Sequence, residues 1–370
     1  MPLETLVHRV PMQHPGDVSG LERLLDSEEV QASEILAILG KTEGNGCVND
    51  YTRGYAVLAL QVLLAERLGL SRDAVMARVA MVMSGGTEGA LSPHFTIFST
   101  RQVTTAAPGP ALAIGVAHTR EFQPEEIGRQ AQIEATAAAV RKAAAAAGIG
   151  DVADVHYVQV KCPLLTANRA AAARARGQAP VTEDTYASMA FSRGASALGV
   201  ALALGEATAE QATEAAVLSD LGVWSGRASA SAGVELMHNE VVVLGNSLAW
   251  GGRLRIGHGV MVDQIDLDTV QGVLRGLGFT GARQLAAAER PRIRAVLAKA
   301  DPGGTGRVRG MRHTMLDDSD INATRHARAV VGGVVAAAVG MTDLFISGGA
   351  EHQGPDGGGP VAVIAETATI

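Results

Sequence analysis

Cysteine, aromatic residues and long apolar runs are scarce in this 370-residue chain, and each shortage excludes a class of protein. The two cysteines, Cys47 and Cys162, are too few for a disulfide framework, and neither belongs to a CxxC pair that would indicate structural zinc. Phe, Trp and Tyr make up only 3% of the residues, so stacking platforms for single-stranded nucleic acid are not expected. The uncharged apolar run at residues 329–341 is too short to span a bilayer.

Basic charge is also in short supply. The formal net charge is −7 and no basic run occurs, which argues against a protein that binds phosphate backbones. With 47% hydrophobic and 19% charged residues, the chain can bury a large core, and its length corresponds to about two to three domains. The N-terminus has no basic-then-apolar signal pattern. We therefore expect a cytoplasmic protein with neither nucleic acid nor membrane as partner.

Lysine is rare, and its placement is regular. Only four of the 31 basic residues are lysine, and three of them end short apolar segments predicted to be strands: Lys41, Lys161 and Lys299. The fourth, Lys142, lies in an alanine-rich stretch predicted to be a helix, where it is expected to be solvated. A buried lysine can lose its proton whereas arginine effectively cannot. The three strand-end lysines are therefore candidates for proton transfer.

A Ser/Thr-Arg pair follows each strand-end lysine and precedes an apolar helical run. The hydroxyl residue is predicted to cap the helix. The arginine beside it would oppose the helix dipole, which indicates that it points at an anion or a polarised carbonyl. The three pairs are Thr52-Arg53, Ser192-Arg193 and Thr324-Arg325.

A third shared element is a turn of serine, two small residues, any residue and glutamate. It occurs at residues 84–88, 231–235 and 347–351, in each case between strand-like segments. The second copy differs, because Ala232 stands where the others have Gly85 and Gly348.

The same order of lysine, arginine and serine turn thus occurs three times. A strand-like segment opens each third, at residues 5–10, 111–118 and 254–261. We predict an α/β (α+β) fold of three similar β-α-β-α-β-β domains, covering residues 1–105, 106–250 and 251–370. The long period indicates triplicated domains and not a solenoid.

These residue types fit nucleophilic acyl chemistry. A serine hydroxyl needs a nearby base, and a lysine kept neutral by burial and by neighbouring arginines can serve. Backbone N–H groups of a small-residue turn can hold the developing oxyanion. Three such sets facing one centre would suit a small planar ring with three carbonyl oxygens. A single copy would be better explained as a solvated lysine, a surface ion pair and a simple turn. The threefold repetition in a lysine-poor chain is what favours chemistry. The residues alone do not choose among the three serines.

Six longer segments carry a resemblance to a known family: residues 40–54, 83–94, 158–165, 189–199, 310–322 and 346–360. Together they are similar to the cyanuric acid hydrolase and barbiturase family across essentially the whole chain. The resemblance implies three similar domains around a pseudo-threefold axis with a central active site. It also implies a homotetramer that hydrolyses a ring C–N bond of cyanuric acid to carboxybiuret, which then loses carbon dioxide to give biuret.

The resemblance assigns roles to individual residues. It implies a catalytic dyad of Lys161 and Ser231, and we expect no catalytic cofactor. In the mechanism that we expect, Lys41 and Lys299, with Ser84 and Ser347, orient and polarise the other two carbonyls. The implied substrate contacts are Arg53, Ser84, Gly85, Arg193, Ser231, Ala232, Arg325, Ser347 and Gly348.

The glycine-rich C-terminal loop is a candidate metal site. Backbone carbonyls and a carboxylate suit a hard cation such as Mg²⁺ or Ca²⁺, and the resemblance implies a structural metal there. Asp301 stands where the family often has glutamate, which is one methylene longer. The alternative is a metal-free glycine-rich turn. The implied ligands are Asp301, Ala350, Gln353, Gly354, Pro355 and Gly358.

Other interpretations are less well supported. Gly40-Lys41-Thr42 lacks the upstream glycine of a phosphate loop, and no HExxH motif indicates catalytic zinc. Cysteine nucleophiles are disfavoured, since only two repeats contain one. Within the family, a barbiturase remains the alternative activity; outside it, the alternative is a non-enzymatic protein that binds trigonal oxo-ligands.

Overall fold

The chain folds into three mixed α/β units that follow one another in sequence. The computed structural model describes residues 1–106, 109–280 and 283–367. The first unit contains β1 (Leu3–Pro11), α1 (Ser19–Asp26), β2 (Ile35–Thr42), α2 (Tyr51–Leu68), α3 (Arg72–Met76), β3 (Ala80–Gly85) and β4 (His94–Gln102). The second contains β5 (Ala111–His118), α4 (Gln130–Ala146), β6 (Val155–Pro163), α5 (Ala167–Ala175), α6 (Ala187–Leu204), β7 (Ala228–Gly233), β8 (Glu240–Ser247) and β9 (Trp250–Gly251). The third contains β10 (Leu254–Met261), α7 (Leu267–Gly276), β11 (Ile293–Ala300), β12 (Arg307–Val308), β13 (Met311–Arg312), α8 (Ala323–Val339), β14 (Phe345–Gly348) and β15 (Gly359–Glu366).

The three main sheets share one strand order. They read β3-β2-β4-β1, β7-β6-β8-β5 and β14-β11-β15-β10, with β9 added beside β1 in the first. The strand that carries the lysine of the repeat, which is β2, β6 or β11, lies between two neighbours in each sheet. One neighbour is parallel to it and the other is antiparallel. The predicted fold of three similar α/β units is therefore confirmed. The domain boundaries near residues 105 and 250 stay a prediction.

The inner faces of the sheets pack on one another, and this directs the strand-end lysines. Leu39 of β2 and Leu297 of β11 belong to a core cluster shared by all three sheets, whereas Ile38 and Val296 pack under the helices on the outer faces. Because side chains alternate along a strand, a residue two positions beyond Leu39 or Leu297 faces inward again. Those residues are Lys41 and Lys299.

The predicted helix caps are wrong. The N-cap of α2 is Asp50 and that of α8 is Asn322, whose side chains accept hydrogen bonds from the amides of Thr52 and Thr324. The hydroxyl residue is therefore inside the first turn, because a carboxylate or amide two residues earlier caps better than a threonine. Helix α6 begins at Ala187, so Ser192 lies inside the helix, where its hydroxyl accepts a 2.9 Å hydrogen bond from Gln132.

Helix α6 is unusually apolar. Over 18 residues its mean hydropathy is 1.3, which by length and composition would suffice to cross a membrane, and 72% of those residues are buried inside the fold. It packs between α4 and β7, as the core helix of a domain does. The predicted alanine-rich helix around Lys142 is α4, and Lys142 is exposed as expected.

Candidate active site

Each strand-end lysine lies beside the turn serine of its own unit. Lys41 pairs with Ser84 across β2 and β3, and in the same way Lys161 is the register partner of Ser231 and Lys299 that of Ser347. Directly paired residues present their side chains on the same face of a sheet. The triplicated spacing in the sequence thus produces three equivalent Lys-Ser pairs.

The serines of the three pairs line one small cavity, and the buried lysines lie behind them. Its volume is about 20 Å³, room for about one water molecule. The hydroxyl oxygens of Ser231 and Ser347 lie 2.8 Å apart at this point. The sequence-predicted residues Arg53, Ser84, Gly85, Arg193, Ser231, Ala232, Ser347 and Gly348 all line it, together with Gly46, Met189 and Arg328.

Two of the lysines bond their own serines. Lys41 donates to Ser84 Oγ at 3.3 Å and to the Gly85 carbonyl at 3.1 Å. Lys299 donates to Ser347 Oγ at 3.2 Å and also to the Ala230 carbonyl of the second unit at 2.9 Å.

Lys161 is bonded differently from the other two lysines. Its Nζ donates to the Met83 carbonyl at 2.7 Å and lies 2.6 Å from the Glu235 carboxylate. Among the hydrogen bonds of the described residues, none joins Lys161 to Ser231. The dyad implied by the resemblance is therefore adjacent in register but not directly hydrogen-bonded, because the carboxylate draws the ammonium away.

Burial shifts the pKa of all three lysines downward. Desolvation is the main cause, and the Arg328 guanidinium adds to it for Lys41, whose pKa falls well below its usual range. For Lys299, desolvation and Arg193 lower the pKa to about 7. For Lys161, desolvation lowers the pKa while the Glu235 anion opposes that shift. The expectation that burial and arginines favour neutral lysines agrees in direction with these shifts.

The glutamate that ends each serine turn is a functional feature to which the sequence reasoning gave no role. Glu351 accepts a bidentate pair of hydrogen bonds from Arg193 at 2.8 and 2.6 Å, and Glu88 accepts the same pair from Arg328. Glu235 instead pairs with Lys161. The recurrence of glutamate four residues after each serine was the signal that could have identified them.

The arginines contact groups of other units. Arg53 donates to the Ala232 carbonyl at 2.8 Å, in keeping with the predicted approach to a polarised carbonyl. Arg325 lies 3.3 Å from Glu88 with 38% of its side chain exposed, outside the residues that line the cavity. Arg328, one helical turn later, is buried and lines the cavity instead. The sequence analysis overlooked it, although residues three apart share a helix face.

A row of polar side chains crosses the second sheet on one face. The register pairs His118 with Glu240, Glu240 with Lys161, and Lys161 with Ser231. Glu240 is fully buried, and burial raises its pKa to about 8. In the first sheet the residue paired with Lys41 on the antiparallel strand is His94, where the second sheet has Glu240 beside Lys161. Of these two sheets, the second is therefore the one in which a carboxylate lies between the lysine and a histidine.

The glycine-rich loop fits a hard cation. The Asp301 carboxylate accepts hydrogen bonds from the amides of Gly303 and Ala350, at 2.7 and 2.9 Å. Its burial, with Glu351 and Asp356 close by, raises its pKa, so the site lacks positive charge. A cavity of about 240 Å³ adjoins these residues and Gly354 and Pro355. Gln353 uses its side-chain oxygen on the Ala230 amide at 2.7 Å, which leaves its backbone carbonyl as the donor for a metal.

Neither cysteine belongs to this row of polar side chains across the second sheet. Cys162 follows Lys161 and is fully buried, with its thiol beside the Ser192 and Ser196 side chains of α6. Because neighbouring residues of a strand face opposite ways, its thiol is directed away from Ser231. Cys47 is half-buried, and its carbonyl accepts from Arg53.

Known proteins are similar to this chain in sequence and in fold over nearly its whole length. A cyanuric acid amidohydrolase from Enterobacter cloacae is 54% identical over 370 residues, which is 99% of this chain and 100% of that protein. One from Bradyrhizobium diazoefficiens is 56% identical over 362 residues, 97% of each chain. Two solved structures are 52% identical and cover 99% of this chain and all of theirs. One is a cyanuric acid hydrolase described as an innovation by structural concatenation, with a TM-score of 0.95; the other is the hydrolase from A. caulinodans, at 0.92.

The family assignment rests on the whole chain. The family model described as amidohydrolase ring-opening protein (Amido_AtzD_TrzD) matches residues 6–366. That span includes all three Lys-Ser pairs, and the resemblance inferred from the sequence motifs is confirmed. The chain belongs to this family of ring-opening amidohydrolases.

Proposed function

We propose that this chain hydrolyses one ring C–N bond of cyanuric acid. The observation that carries the proposal is that three serines line one small cavity, and each of them is the register partner of a buried lysine. A six-membered ring with three equivalent carbonyls matches that threefold set of donors. The names of the full-length relatives support the same substrate.

Ser231 is the proposed nucleophile and Lys161 its base. When Glu235 holds the proton that it shares with Lys161, neutral Lys161 takes the hydroxyl proton as Ser231 Oγ bonds to one ring carbon. Backbone N–H groups of the turn hold the resulting oxyanion. The ring C–N bond then breaks, and the departing nitrogen takes the proton from Lys161. Water hydrolyses the acyl-enzyme and restores the Ser231 hydroxyl. The released product is carboxybiuret, which loses carbon dioxide to give biuret.

Symmetry breaking in the second unit favours Ser231 over the other two serines. Lys161 has a carboxylate partner with which it can share its proton, whereas Lys41 and Lys299 are bonded to serine and carbonyl oxygens. Ser84 and Ser347, with their lysines, would then hold and polarise the other two carbonyls. Arg53 and Arg193 would bind ring oxygens from the helices, and Arg325 would do so by moving inward from Glu88.

The cavity must open to admit a ring. With a volume of about 20 Å³, it holds far less than a six-membered heterocycle requires. The Ser231 and Ser347 hydroxyl oxygens lie 2.8 Å apart in this cavity, so substrate would part these two serines and take over their hydrogen bonds.

We further propose that the enzyme is a cytoplasmic homotetramer with Mg²⁺ or Ca²⁺ in the Asp301 loop. The unpaired cysteines are those of a reducing compartment. Apolar side chains on α2 provide a surface for self-association. When bound, the cation would supply the positive charge that the buried Asp301 carboxylate lacks; the proposed ligands are that carboxylate and the backbone carbonyls of Ala350, Gln353, Gly354, Pro355 and Gly358.

A substrate panel tests the proposed activity. Purified protein is incubated with cyanuric acid, barbiturate and N-methyl isocyanurates, and release of carbon dioxide and biuret is followed alongside loss of the ring absorbance. Turnover of cyanuric acid supports the proposal. Turnover of barbiturate alone would identify a barbiturase, and tight binding without turnover of either parent ring would identify a binding protein.

A further inference from the structure

Three potential metal ligands meet at one end of the β5–β8 strand pair. They are His118 at the end of β5, His238 in the segment before β8, and Glu240, the first residue of β8. Each residue offers one ligand atom, and these three atoms lie within 4.8 Å of one another. The two imidazole rings pack edge to face with centroids 5.5 Å apart.

Polar atoms in this group lack partners within the described part of the chain. Glu240 is fully buried, and its Oε2 accepts a 3.2 Å hydrogen bond from the Met81 amide. Its Oε1 is buried with no hydrogen-bond partner, and the same holds for Nε2 of His118. A buried polar atom without a partner costs free energy, so both atoms are suited to a ligand that satisfies them.

Hydrogen bonds fix the backbone that carries the three side chains. The amide of Thr119 donates to the Asn239 carbonyl at 3.0 Å, and the amide of Asn239 donates to Thr119 Oγ1 at 2.8 Å. The Asn239 side chain donates in turn to Thr136 and Ser196, at 2.8 and 3.0 Å. Each residue next to a ligand is therefore anchored, and the ligands need only side-chain rotation to close on an ion.

The donor set identifies the class of ion. Two imidazole nitrogens and one carboxylate oxygen are the ligands that Zn²⁺ and similar divalent transition metals prefer, whereas Mg²⁺ and Ca²⁺ prefer oxygen alone. Both histidines are half-exposed, which leaves a path for the ion and a coordination position for water.

We propose that His118, His238 and Glu240 form a binding site for a divalent transition-metal ion, with Zn²⁺ as the best-fitting occupant. The site is distinct from the oxygen-only Asp301 loop in both location and chemistry. Glu240 is also the register partner of Lys161, so the ion would sit at the outer end of the row that leads to Ser231.

The test is a metal titration of the full-length protein. Chelator-treated protein is first dialysed against Mg²⁺, so that the oxygen-only site is satisfied, and is then titrated with Zn²⁺ by calorimetry and with Co²⁺ by visible absorption. The expected result is one Zn²⁺ per chain and a Co²⁺ spectrum with nitrogen ligation. His118→Phe, His238→Phe and Glu240→Gln should each weaken Zn²⁺ binding at least about 100-fold.

A second histidine pair supplies the matched control. His156 and His258 lie with their Nδ1 atoms 2.8 Å apart, but no carboxylate joins them in a three-ligand cluster of the described residues. His258→Phe should leave Zn²⁺ affinity unchanged. The proposal would be overturned if the wild type bound no Zn²⁺. It would also be overturned if binding survived His118→Phe and His238→Phe and was lost in His258→Phe. Because His118 and His238 are half-exposed, their variants keep the test valid even if Glu240→Gln fails to fold.

Discussion

Lys161 and Glu235 form a buried ion pair, with 2.6 Å between the ammonium nitrogen and a carboxylate oxygen. The glutamates at the same place in the other two serine turns bind arginines instead. The second unit therefore differs from the other two in the partner of its turn glutamate. This difference is the physical reason to assign the catalytic base to the second unit, where symmetry alone would leave three choices.

Replacing Glu235 with glutamine should shift the pH dependence of catalysis. Burial lowers the pKa of Lys161, and the Glu235 anion opposes that shift by favouring the charged form. Without the anion the lysine pKa falls further, so the base stays neutral to lower pH. The acid limb of the kcat/KM profile of Glu235→Gln should move down by about 1–3 pH units.

Glu351→Gln is the matched control for that experiment. Glu351 faces Arg193 and lies near Lys299, so its loss should raise KM by disturbing the arginine and leave the acid limb in place. An acid limb that moved in Glu351→Gln and stayed fixed in Glu235→Gln would identify Lys299 as the base. The chain of contacts from Lys299 through Ser347 to Ser231 would then be the proton route.

Removing the three hydroxyls one at a time should separate nucleophile from positioning groups. Ser231→Ala should lower kcat at least about 10³-fold, since no acyl-enzyme can form. Ser84→Ala and Ser347→Ala each remove one hydrogen bond to substrate and should mainly raise KM, by about 10-fold. Steady-state kinetics and mass spectrometry of the trapped acyl-enzyme provide the measurement. Near-normal turnover in Ser231→Ala combined with its loss in Ser84→Ala would refute the assignment.

Lys299→Met should stabilise the protein while it reduces activity. The folded-state pKa of Lys299 is about 7, below the value of about 10.4 for an unfolded lysine. Between these values the unfolded state binds more protons, so the wild type gains stability as pH rises. The methionine variant lacks this penalty and should be more stable by roughly 1–3 kcal/mol at pH 7.

The pH dependence of that difference is the decisive measurement. Urea unfolding of the wild type and Lys299→Met is compared from pH 6.5 to pH 10. The advantage of the variant should be largest at or below pH 7 and should shrink as pH approaches the unfolded pKa. A difference that grew with pH would contradict a depressed lysine pKa in the folded state.

Most strands of the fold follow directly from the sequence. Strands β2, β6 and β11 are predictable because apolar runs end in a charged residue, and the turn serines follow because small residues recur at fixed spacing. Helix starts are less predictable: at α2 and α8 the capping residue lies two positions before the hydroxyl that the pattern favoured. Asp50 and Asn322, which cap these helices, are as close in sequence as the predicted threonines. Which residue caps the helix depends on the backbone geometry at the helix start, which the sequence alone does not give.

The site was predictable to the extent that it is built from repeats. Residues that recur in all three units, such as the lysines and serines, could be identified by comparing the chain with itself. Arg328 and the Lys161–Glu235 pair could not, because each is a departure from the repeat. Arg328 binds Glu88 of the first unit, and Lys161 and Glu235 are far apart in the sequence of the second unit. Likewise, Glu240 joins the row of polar side chains that includes Lys161 and Ser231 only through strand register.

Metal removal should destabilise the Asp301 loop. Chelation of the wild type should lower Tm by several degrees, because the cation offsets the charge of a buried carboxylate, and Mg²⁺ or Ca²⁺ should restore it. Asp301→Asn should have a Tm that is insensitive to chelator. Differential scanning calorimetry in the absence of added zinc makes the measurement. A chelator effect of equal size in both proteins would mean that the relevant ion is bound elsewhere.

A stripe of exposed apolar side chains on α2 predicts where copies of the chain associate. Tyr51, Tyr55, Leu58 and Val62 are 75%, 51%, 43% and 53% exposed, and their spacing places them on one helix face. A contiguous apolar face of this kind is typical of an interface. The double substitution of glutamate for Leu58 and Val62 should convert the proposed tetramer into smaller species, as measured by light scattering after size exclusion. Leu248, which is 71% exposed and lies outside α2, supplies the control, since Leu248→Glu should leave the mass unchanged. If the double variant remained a tetramer, the interface would lie on another surface. If the wild type were a monomer, the proposal of self-association would be wrong.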